Sequence, residues 1–451
     1  MSDFEPLYTS AEMRAAEERF PGTVEELMER AGSAVARTGI ELHPSAQRWT
    51  VVCGGGANGG DGRIAARELE RAGREVRIVD AKAGETELGD PEVIVDALFG
   101  TGFAGEPRPE AAALIERIND SGARVLSVDL PSGVDASTGE VAGAAVQADT
   151  TVTFHGRKVG LVVAPGRFHA GTVHVADIGL DDVDTEIRLV GVSILRSVPR
   201  RAERDNKYTA GHVLVVGGSP GLTGAPSLTA MAALRADAGY VTLAAPKSTL
   251  PVFEQRLLEV VKRPLPEHLG PLAAKASSLA IGPGLGRGEE VHRLVRRALV
   301  EVELPAVVDA DALFGLEPAP WPGPRVLTPH EGELARLLGR DSKEIAAHRI
   351  ASVREAAERF DCVVLLKGSD TLVAAPGRGL LVSSLGLPSL ATAGTGDVLT
   401  GIVAAFLAKG MDAQLAAAAA AAAQQRASVE APQRAGLVAS DLIEALPRVL
   451  R

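Results

Sequence analysis

Ala393-Gly-Thr-Gly-Asp-Val-Leu-Thr-Gly401 is a glycine-punctuated turn that runs straight into an apolar segment reaching Lys409. Glycines allow so tight a turn, and a helix beginning there aims free N–H groups and the positive end of its dipole at one point, where an anion is favoured. Asp397 falls in the first helical turn, where an acid also complements the dipole, so the loop alone does not name a ligand. Its surroundings add to it. Outward from the loop, β-branched runs at 212–216, 278–281, 306–309, 326–327, 363–367 and 371–375 alternate with longer amphipathic stretches, and helices are predicted at 396–409, 413–430 and 440–450, the last capped by Ser440. Such alternation predicts a parallel sheet with helices on both faces, and such sheets bind ligands outside the strands' carboxyl ends.

Several loops fall at those ends. Gly217-Gly-Ser-Pro-Gly-Leu-Thr-Gly-Ala225 and Gly282-Pro-Gly-Leu-Gly286 follow one strand each, and neither has the Gly-Lys-Ser/Thr ending of a P-loop. Lys367-Gly-Ser-Asp-Thr371 follows Val363-Val-Leu-Leu366; it reads either as a ligand loop or as a hairpin turn with a solvated lysine. In Thr328-Pro-His-Glu331 the order of threonine, proline and glutamate predicts a capping box, which leaves His330 free as a ligand contact.

The first half repeats the class without repeating the sequence. Runs at 49–53, 75–80, 93–98, 124–129 and 150–154 predict a second α/β domain. Gly54-Gly-Gly-Ala-Asn-Gly-Gly-Asp-Gly62 contains a formal G-x-G-x-x-G, and Asp80 ends the next strand where a Rossmann-like fold places its ribose-binding acid. Asp61 argues against an ordinary dehydrogenase, because it sets a negative charge where a pyrophosphate would lie. Asn58, Asp96 and Ser132 offer oxygen ligands from three loops, suited to a hard cation, although each alone also reads as a turn-stabilising side chain. The charged stretch 196–205 reads as a linker, which gives domains at 1–195 and 205–451, both three-layer α/β/α.

Composition narrows the partners. The 451 residues carry a formal charge of −11 with no dense basic run, so nucleic acid is not expected as a partner. No apolar run is long enough for a bilayer, and the N-terminus lacks the regions of a signal peptide. Cys53 and Cys362 form no pair motif, which fits a reducing, cytoplasmic setting. The alanine tract 416–423 reads as a small-residue helix face for close packing.

With these motifs in hand, residues 200–450 resemble the ribokinase-like superfamily and, within it, the NAD(P)H-hydrate dehydratases. Asn206-Lys-Tyr-Thr-Ala-Gly211, Val307-Val-Asp-Ala-Asp311, Thr328-Pro-His-Glu-Gly-Glu333 and Lys367-Gly-Ser-Asp-Thr371 carry that likeness. The resemblance implies that Lys367, Gly368, Ser369, Asp370, Thr371 and Gly396 hold an adenine nucleotide, with ADP favoured; magnesium is expected on phosphoryl-transfer grounds, without ligands the sequence names. It further implies that Ala225, Gly284 and His330 face the hydrated nicotinamide and that Asp397 is catalytic. A vitamin-alcohol kinase of the same superfamily stays open as an alternative.

Residues 1–190 resemble the NAD(P)H-hydrate epimerases. There the likeness implies potassium on Asn58, Asp96 and Ser132, and a catalytic Asp129. Substrate would meet Ala57, Asn58, Gly59, Gly60 and Asp61, and also Gly100, Thr101, Gly102, Phe103, Ala104, Gly105 and Glu106. Ala57 departs from the family, which carries asparagine there, and removes one amide contact. A non-catalytic scaffold or dimerisation role remains the alternative for this half, and a homo-oligomer is expected.

Overall fold

The structure is a computed structural model that describes residues 4–433 and 435–450. Its residues fall into two compact units, Pro6–Ile187 and the chain from Arg188 onward with Phe4 and Glu5. The first strand, Phe4–Pro6 (β1), belongs to the larger sheet.

Pro6–Ile187 is built on Arg48–Cys53 (β2), Glu75–Asp80 (β3), Val93–Ala97 (β4), Arg124–Val128 (β5), Thr150–Phe154 (β6) and Thr172–Ala176 (β7). Their order is β3-β2-β4-β5-β6-β7, every pair parallel. Val51 and Val95 join one core with the helices Val24–Leu42 and Ala57–Arg71, while the alternate residues Val52 and Ile94 join another with Leu114 and Ile118 of Pro109–Asp120. Two cores on opposite faces make the unit three-layered, as a period-two strand buried on both sides requires. The strand order reverses between β2 and β4, and that switch point is where such sheets open a crevice for ligand. Helix Ala57–Arg71 lies tight against the crevice floor, since a Cβ on Gly62 would come within 2.5 Å of the Ala97 Cβ.

The larger sheet continues with Ile187–Val190 (β8), His212–Val216 (β9), Tyr240–Ala245 (β10), Val261–Pro264 (β11), Ser278–Ile281 (β12), Ala306–Val308 (β13), Arg325–Leu327 (β14), Val363–Leu366 (β15), Thr371–Ala374 (β16) and Leu380–Ser383 (β17). The order is β1-β8-β17-β16-β15-β14-β13-β12-β9-β10-β11. From β15 to β11 the strands are parallel, and β16 and β17 turn back antiparallel. Here the order reverses between β9 and β12. Val213 and Val215 pack into a core with helices Thr395–Ala408 and Ala413–Glu430, and the alternate Leu214 and Val216 are buried as well. Ala416 to Ala423 are all at most 1 % exposed, so the alanine tract is covered on every side rather than along one face.

Local differences from the sequence reading have plain causes. Residues 187–195, expected at the end of the first domain, form β8 and the start of a 3-10 turn whose Val190, Ile194 and Leu195 belong to the core of the larger unit. The last helix is Ala439–Val449, not one capped by Ser440; the Asp441 carboxylate accepts from the Val438 N–H at 2.9 Å and supplies the cap. No helix among the described residues is long and apolar enough to cross a membrane.

Candidate active sites

In the larger unit, Val216, Ile281, Val308 and Leu327 are in register, so the next residues, Gly217, Gly282, Asp309 and Thr328, line one rim. The rim is closely built. Gly282 has φ +128, and a Cβ there would lie 1.8 Å from the Asp309 carbonyl oxygen; Gly284, at φ +65, would meet the Leu222 carbonyl at 2.4 Å. Only glycine lets these loops approach so closely.

Asp309 is 1 % exposed and stands at the centre of the rim. Lys367 Nζ lies 2.9 Å from its Oδ1, and Thr400 Oγ1 donates to its Oδ2 at 2.6 Å. Glu333 lies 3.8 Å from the same ammonium. Burial alone would depress the lysine, but Asp309 and Glu333 outweigh it and raise its pKa. Helix Thr395–Ala408 starts at Gly394, which has φ +89, and a Cβ on Gly396 would come 3.4 Å from Lys367 Nζ. Asp397 therefore faces a low-dielectric, anionic surrounding. Burial first, and then Asp309, push its carboxyl up to about 7, with Lys367 pulling the other way. Thr229 Oγ1 donates to the Asp397 carbonyl at 3.0 Å and reaches the Ala225 carbonyl at 3.1 Å, so residues 225 and 397 are held on adjoining helices.

The loop 367–371 is indeed a hairpin between β15 and β16, yet its lysine is only 21 % exposed and points at Asp309. Gly368 and Ser369 are exposed, whereas Asp370 is 0 % exposed and turns to Arg349. Thr371 is buried. The expected capping box is displaced. Helix Glu331–Leu338 is capped by His330, whose Nδ1 accepts from the Gly332 N–H at 3.0 Å while Glu333 accepts from the His330 N–H at 2.9 Å. Thr328 and Pro329 lie before the helix, and the Pro329 carbonyl accepts from the Lys367 N–H at 2.9 Å. His330 thus has a structural task that the sequence reading denied it.

In Pro6–Ile187 the loops after β2, β4 and β5 meet at the switch point. Asp96 is 0 % exposed, and its carboxylate accepts from Ser132 Oγ at 2.6 Å, Ser132 N–H at 2.9 Å and Ser127 Oγ at 2.9 Å. Burial raises its pKa and these donors oppose that. Asn58 Nδ2 donates to the Phe99 carbonyl at 2.9 Å, and the Phe99 N–H donates to Ser132 Oγ at 2.8 Å, so Asn58, Asp96 and Ser132 form one connected cluster. Ala57 and Gly102 to Glu106 are exposed or half-buried around it, with Phe103 stacked on Phe99 at 4.7 Å. Gly59 is forced, since a Cβ there would lie 2.0 Å from the Gly54 carbonyl. Asp80 bonds Arg63 at 2.7 Å and caps the turn at 81–83. Asp129 is 7 % exposed and paired with the buried Lys158 at 2.6 Å; Asp61 is also buried.

Sequence reasoning gave no role to Asp309, Thr400, Glu333, Arg349 or Lys158. Asp309 had a visible signal, an acid directly after a buried strand at the height of the glycine loops. The others become meaningful only through tertiary contacts.

Parallel sheets with glycine loops gathered at their switch points define a two-unit α/β enzyme, and the larger unit has the ribokinase-like fold. It is similar to a ribokinase-like superfamily protein of Enterococcus faecalis (TM-score 0.52, 22 % identity, 60 % of this chain and 97 % of that one). It is also similar to the ADP/ATP-dependent NAD(P)H-hydrate dehydratase of Bacillus subtilis co-crystallised with ATP and Mg2+ (TM-score 0.53, 29 % identity, 57 % and 96 % covered). The family model described as NAD(P)H-hydrate dehydratase matches residues 213–448, and that of the YjeF-related protein N-terminus matches 24–87 and 78–160. Over 99 % of its length the chain is 39 % identical to the bifunctional NAD(P)H-hydrate repair enzyme Nnr of Moorella thermoacetica, covering 96 % of that protein. The Escherichia coli enzyme of the same name is 34 % identical over 95 % of this chain and 90 % of its own. The chain belongs to the family of bifunctional NAD(P)H-hydrate repair enzymes.

Proposed function

We propose that the larger unit dehydrates hydrated NADH and NADPH with an adenine nucleotide as co-substrate, ADP being favoured, and that Pro6–Ile187 interconverts the two C6 epimers. The observation that carries the reading is Asp397 at a helix N-terminus beside Asp309 and Lys367, its carboxyl pushed up to about 7. A group poised there is half ionised near neutrality and suits general-base work.

The hydrated ring carries a hydroxyl at C6 that leaves poorly. Asp397 takes its proton as the oxygen attacks the terminal phosphorus of the nucleotide, and the N–H groups of Gly394 and Gly396 at the helix start stabilise the charge that develops. Phosphate then leaves with the C6–O pair, driven by the lone pair on N1, and loss of a C5 proton restores the double bond. The products are NAD(P)H, phosphate and, from ADP, AMP. Lys367 is oriented by Asp309 and Glu333 toward the phosphates, Gly368, Ser369 and Gly396 form the nucleotide cradle, and the buried Asp370 and Thr371 support the loop from behind rather than touching the nucleotide. Ala225, Gly284 and His330 flank the nicotinamide.

Asp309, Glu333 and Asp397 share one ammonium, and that excess of negative charge fits a divalent cation. Among the described residues no three acidic, histidine or cysteine side chains form a closed metal cage, so magnesium fits best as an ion carried by the phosphates. When bound it neutralises phosphate charge. In the smaller unit the buried Asp96 carboxylate has only neutral partners, which fits a monovalent cation such as potassium beside Asn58 and Ser132. Such an ion would brace the loops, with Asp129 as the group that moves a proton. Cytoplasmic location and homo-oligomerisation belong to the same proposal; the buried free thiols of Cys53 and Cys362 support a reducing compartment.

The test is direct. Purified protein with hydrated NADH, Mg2+ and ADP or ATP should regain reduced-nicotinamide absorbance and release inorganic phosphate. A phosphorylated alcohol with no regained absorbance would return the kinase reading.

A further inference from the structure

We propose that the epimerisation opens the C6–N1 bond, with Asp129 as proton acceptor, Asp61 as proton donor, and Lys158 as the positioning residue that separates the two roles. The inference rests on the epimerase reading above and adds to it a second acid, a buried cation and a choice of bond.

Lys158 is 0 % exposed, and its ammonium spends its donors on Asp129 Oδ1 at 2.6 Å, Thr153 Oγ1 at 3.0 Å and the Phe154 carbonyl at 2.8 Å. Thr153 Oγ1 in turn donates to Asp129 Oδ1 at 3.0 Å. One carboxylate oxygen is therefore saturated, and Oδ2 makes no hydrogen bond to any described residue. The backbone of Asp129 is held at φ +66, an uncommon conformation for a side chain other than glycine, by its N–H bond to the Val152 carbonyl at 2.7 Å. Everything about Asp129 fixes one free oxygen in one direction.

Asp61 stands in the opposite condition. It is 8 % exposed, and its Oδ1 is shielded from water without a hydrogen-bond partner. An ionised carboxylate left so would be costly, whereas a neutral carboxyl keeps a proton to give. The charged groups felt there are Asp129 after β5 and Glu17 on helix Ser10–Glu18; Lys158 after β6 also acts on Glu17. Burial first, and then those two acids, push Asp61 up to about 8. Lys158 and Arg14 both act on Glu17, the ammonium itself sits on Asp129, and neither cation is among the groups felt at Asp61. A carboxylate paired with a buried ammonium and a buried carboxyl without a partner divide base from acid.

That division matches one bond better than the other. Breaking C6–O needs a single acid, which afterwards serves as base for the returning water. Breaking C6–N1 needs both at once. Asp129 Oδ2 takes the C6 hydroxyl proton, the oxygen pair forms the carbonyl, the C6–N1 pair goes to N1, and Asp61 protonates N1. Rotation about C5–C6 presents the other carbonyl face. N1 then attacks, its proton returns to Asp61, and Asp129 returns its proton to the oxygen, so no water or other reactant enters.

The experiment follows single inversions of one purified NADH-hydrate epimer by the full chain in 18O-labelled water, without nucleotide. Retention of the C6 oxygen is expected; one solvent oxygen per inversion would overturn the proposal. Asp61→Asn should lower kcat for inversion by about 100-fold or more with KM within about 3-fold, and Asp61→Glu should recover part of it. Lys158→Met should behave like Asp61→Asn, and Lys158→Arg should recover part of the rate. Wild-type kcat in Asp61→Asn would overturn the proposal while leaving the epimerase reading intact. Absence of any inversion by wild type would defeat that reading itself.

Discussion

Lys367 Nζ lies 2.9 Å from Asp309 Oδ1, so the lysine of one strand end is aimed by the acid of another. The nucleotide loop and the floor of the rim are one unit in consequence. An ammonium held in this way presents a charge of fixed direction to a phosphate, at lower entropic cost than a free surface lysine.

Removing the lysine should therefore act on nucleotide binding. Lys367→Ala should weaken nucleotide affinity by about 10-fold or more, measured by calorimetry, because a charged hydrogen bond is lost and Asp309 repels the phosphates unopposed. An unchanged Kd would reduce Lys367 to a structural partner of Asp309.

Asp397→Asn keeps the shape of the helix start but cannot accept a proton. The dehydration kcat should fall by about 100- to 10,000-fold, with nucleotide Kd within about 3-fold. Near-normal turnover would remove Asp397 from the chemistry.

The same residue gives a pH signature. Its carboxyl is pushed up from 3.8 to about 7, so the working carboxylate is lost as pH falls through 7, and kcat/KM of the nucleotide-saturated enzyme should fall with an acid limb there. For stability the sign is opposite. A raised carboxyl contributes stability that is present below about pH 4 and lost as pH rises through 7. Asp397→Asn should accordingly be more stable than wild type at pH 8 by about 1–3 kcal/mol, with the gain vanishing near pH 4. Thermal melts at both values check it.

Potassium should matter to the smaller unit. With Asn58, Asp96 and Ser132 in one cluster, the initial rate of epimer inversion should be higher in potassium than in sodium at equal ionic strength. Equal rates would leave the cation reading without support.

Much of this was legible in the sequence, because the alternation of buried strands with amphipathic helices and the glycines at strand ends are local signals. Residues 54–62, 282–286 and 394–401 could be read directly as glycine-rich turns, the first and last of them opening a helix. His330 was misread because Thr328-Pro-His-Glu331 and His330-Glu-Gly-Glu333 both have capping-box spacing, and the helix starts from the second, with the Pro329 carbonyl accepting from the Lys367 N–H. The pairs Lys367 with Asp309, Arg349 with Asp370, and Lys158 with Asp129 join distant segments, and no periodicity announces them. Asp129 consequently read as a lone acid, although the buried lysine that orients it lies one strand further along the chain.

The two sites in series are the core of the functional account, and a single time course tests them. Full-length protein is given a mixture of both NADH-hydrate epimers with excess ADP and Mg2+, and absorbance of reduced nicotinamide is followed beside an Asp129→Asn variant over times short against spontaneous epimerisation. The wild type should convert the whole mixture, while the variant should start at the same rate and stop once the epimer used by the larger unit is consumed. Complete conversion by the variant at wild-type speed, or a wild type that stops at the same fraction, would contradict the account.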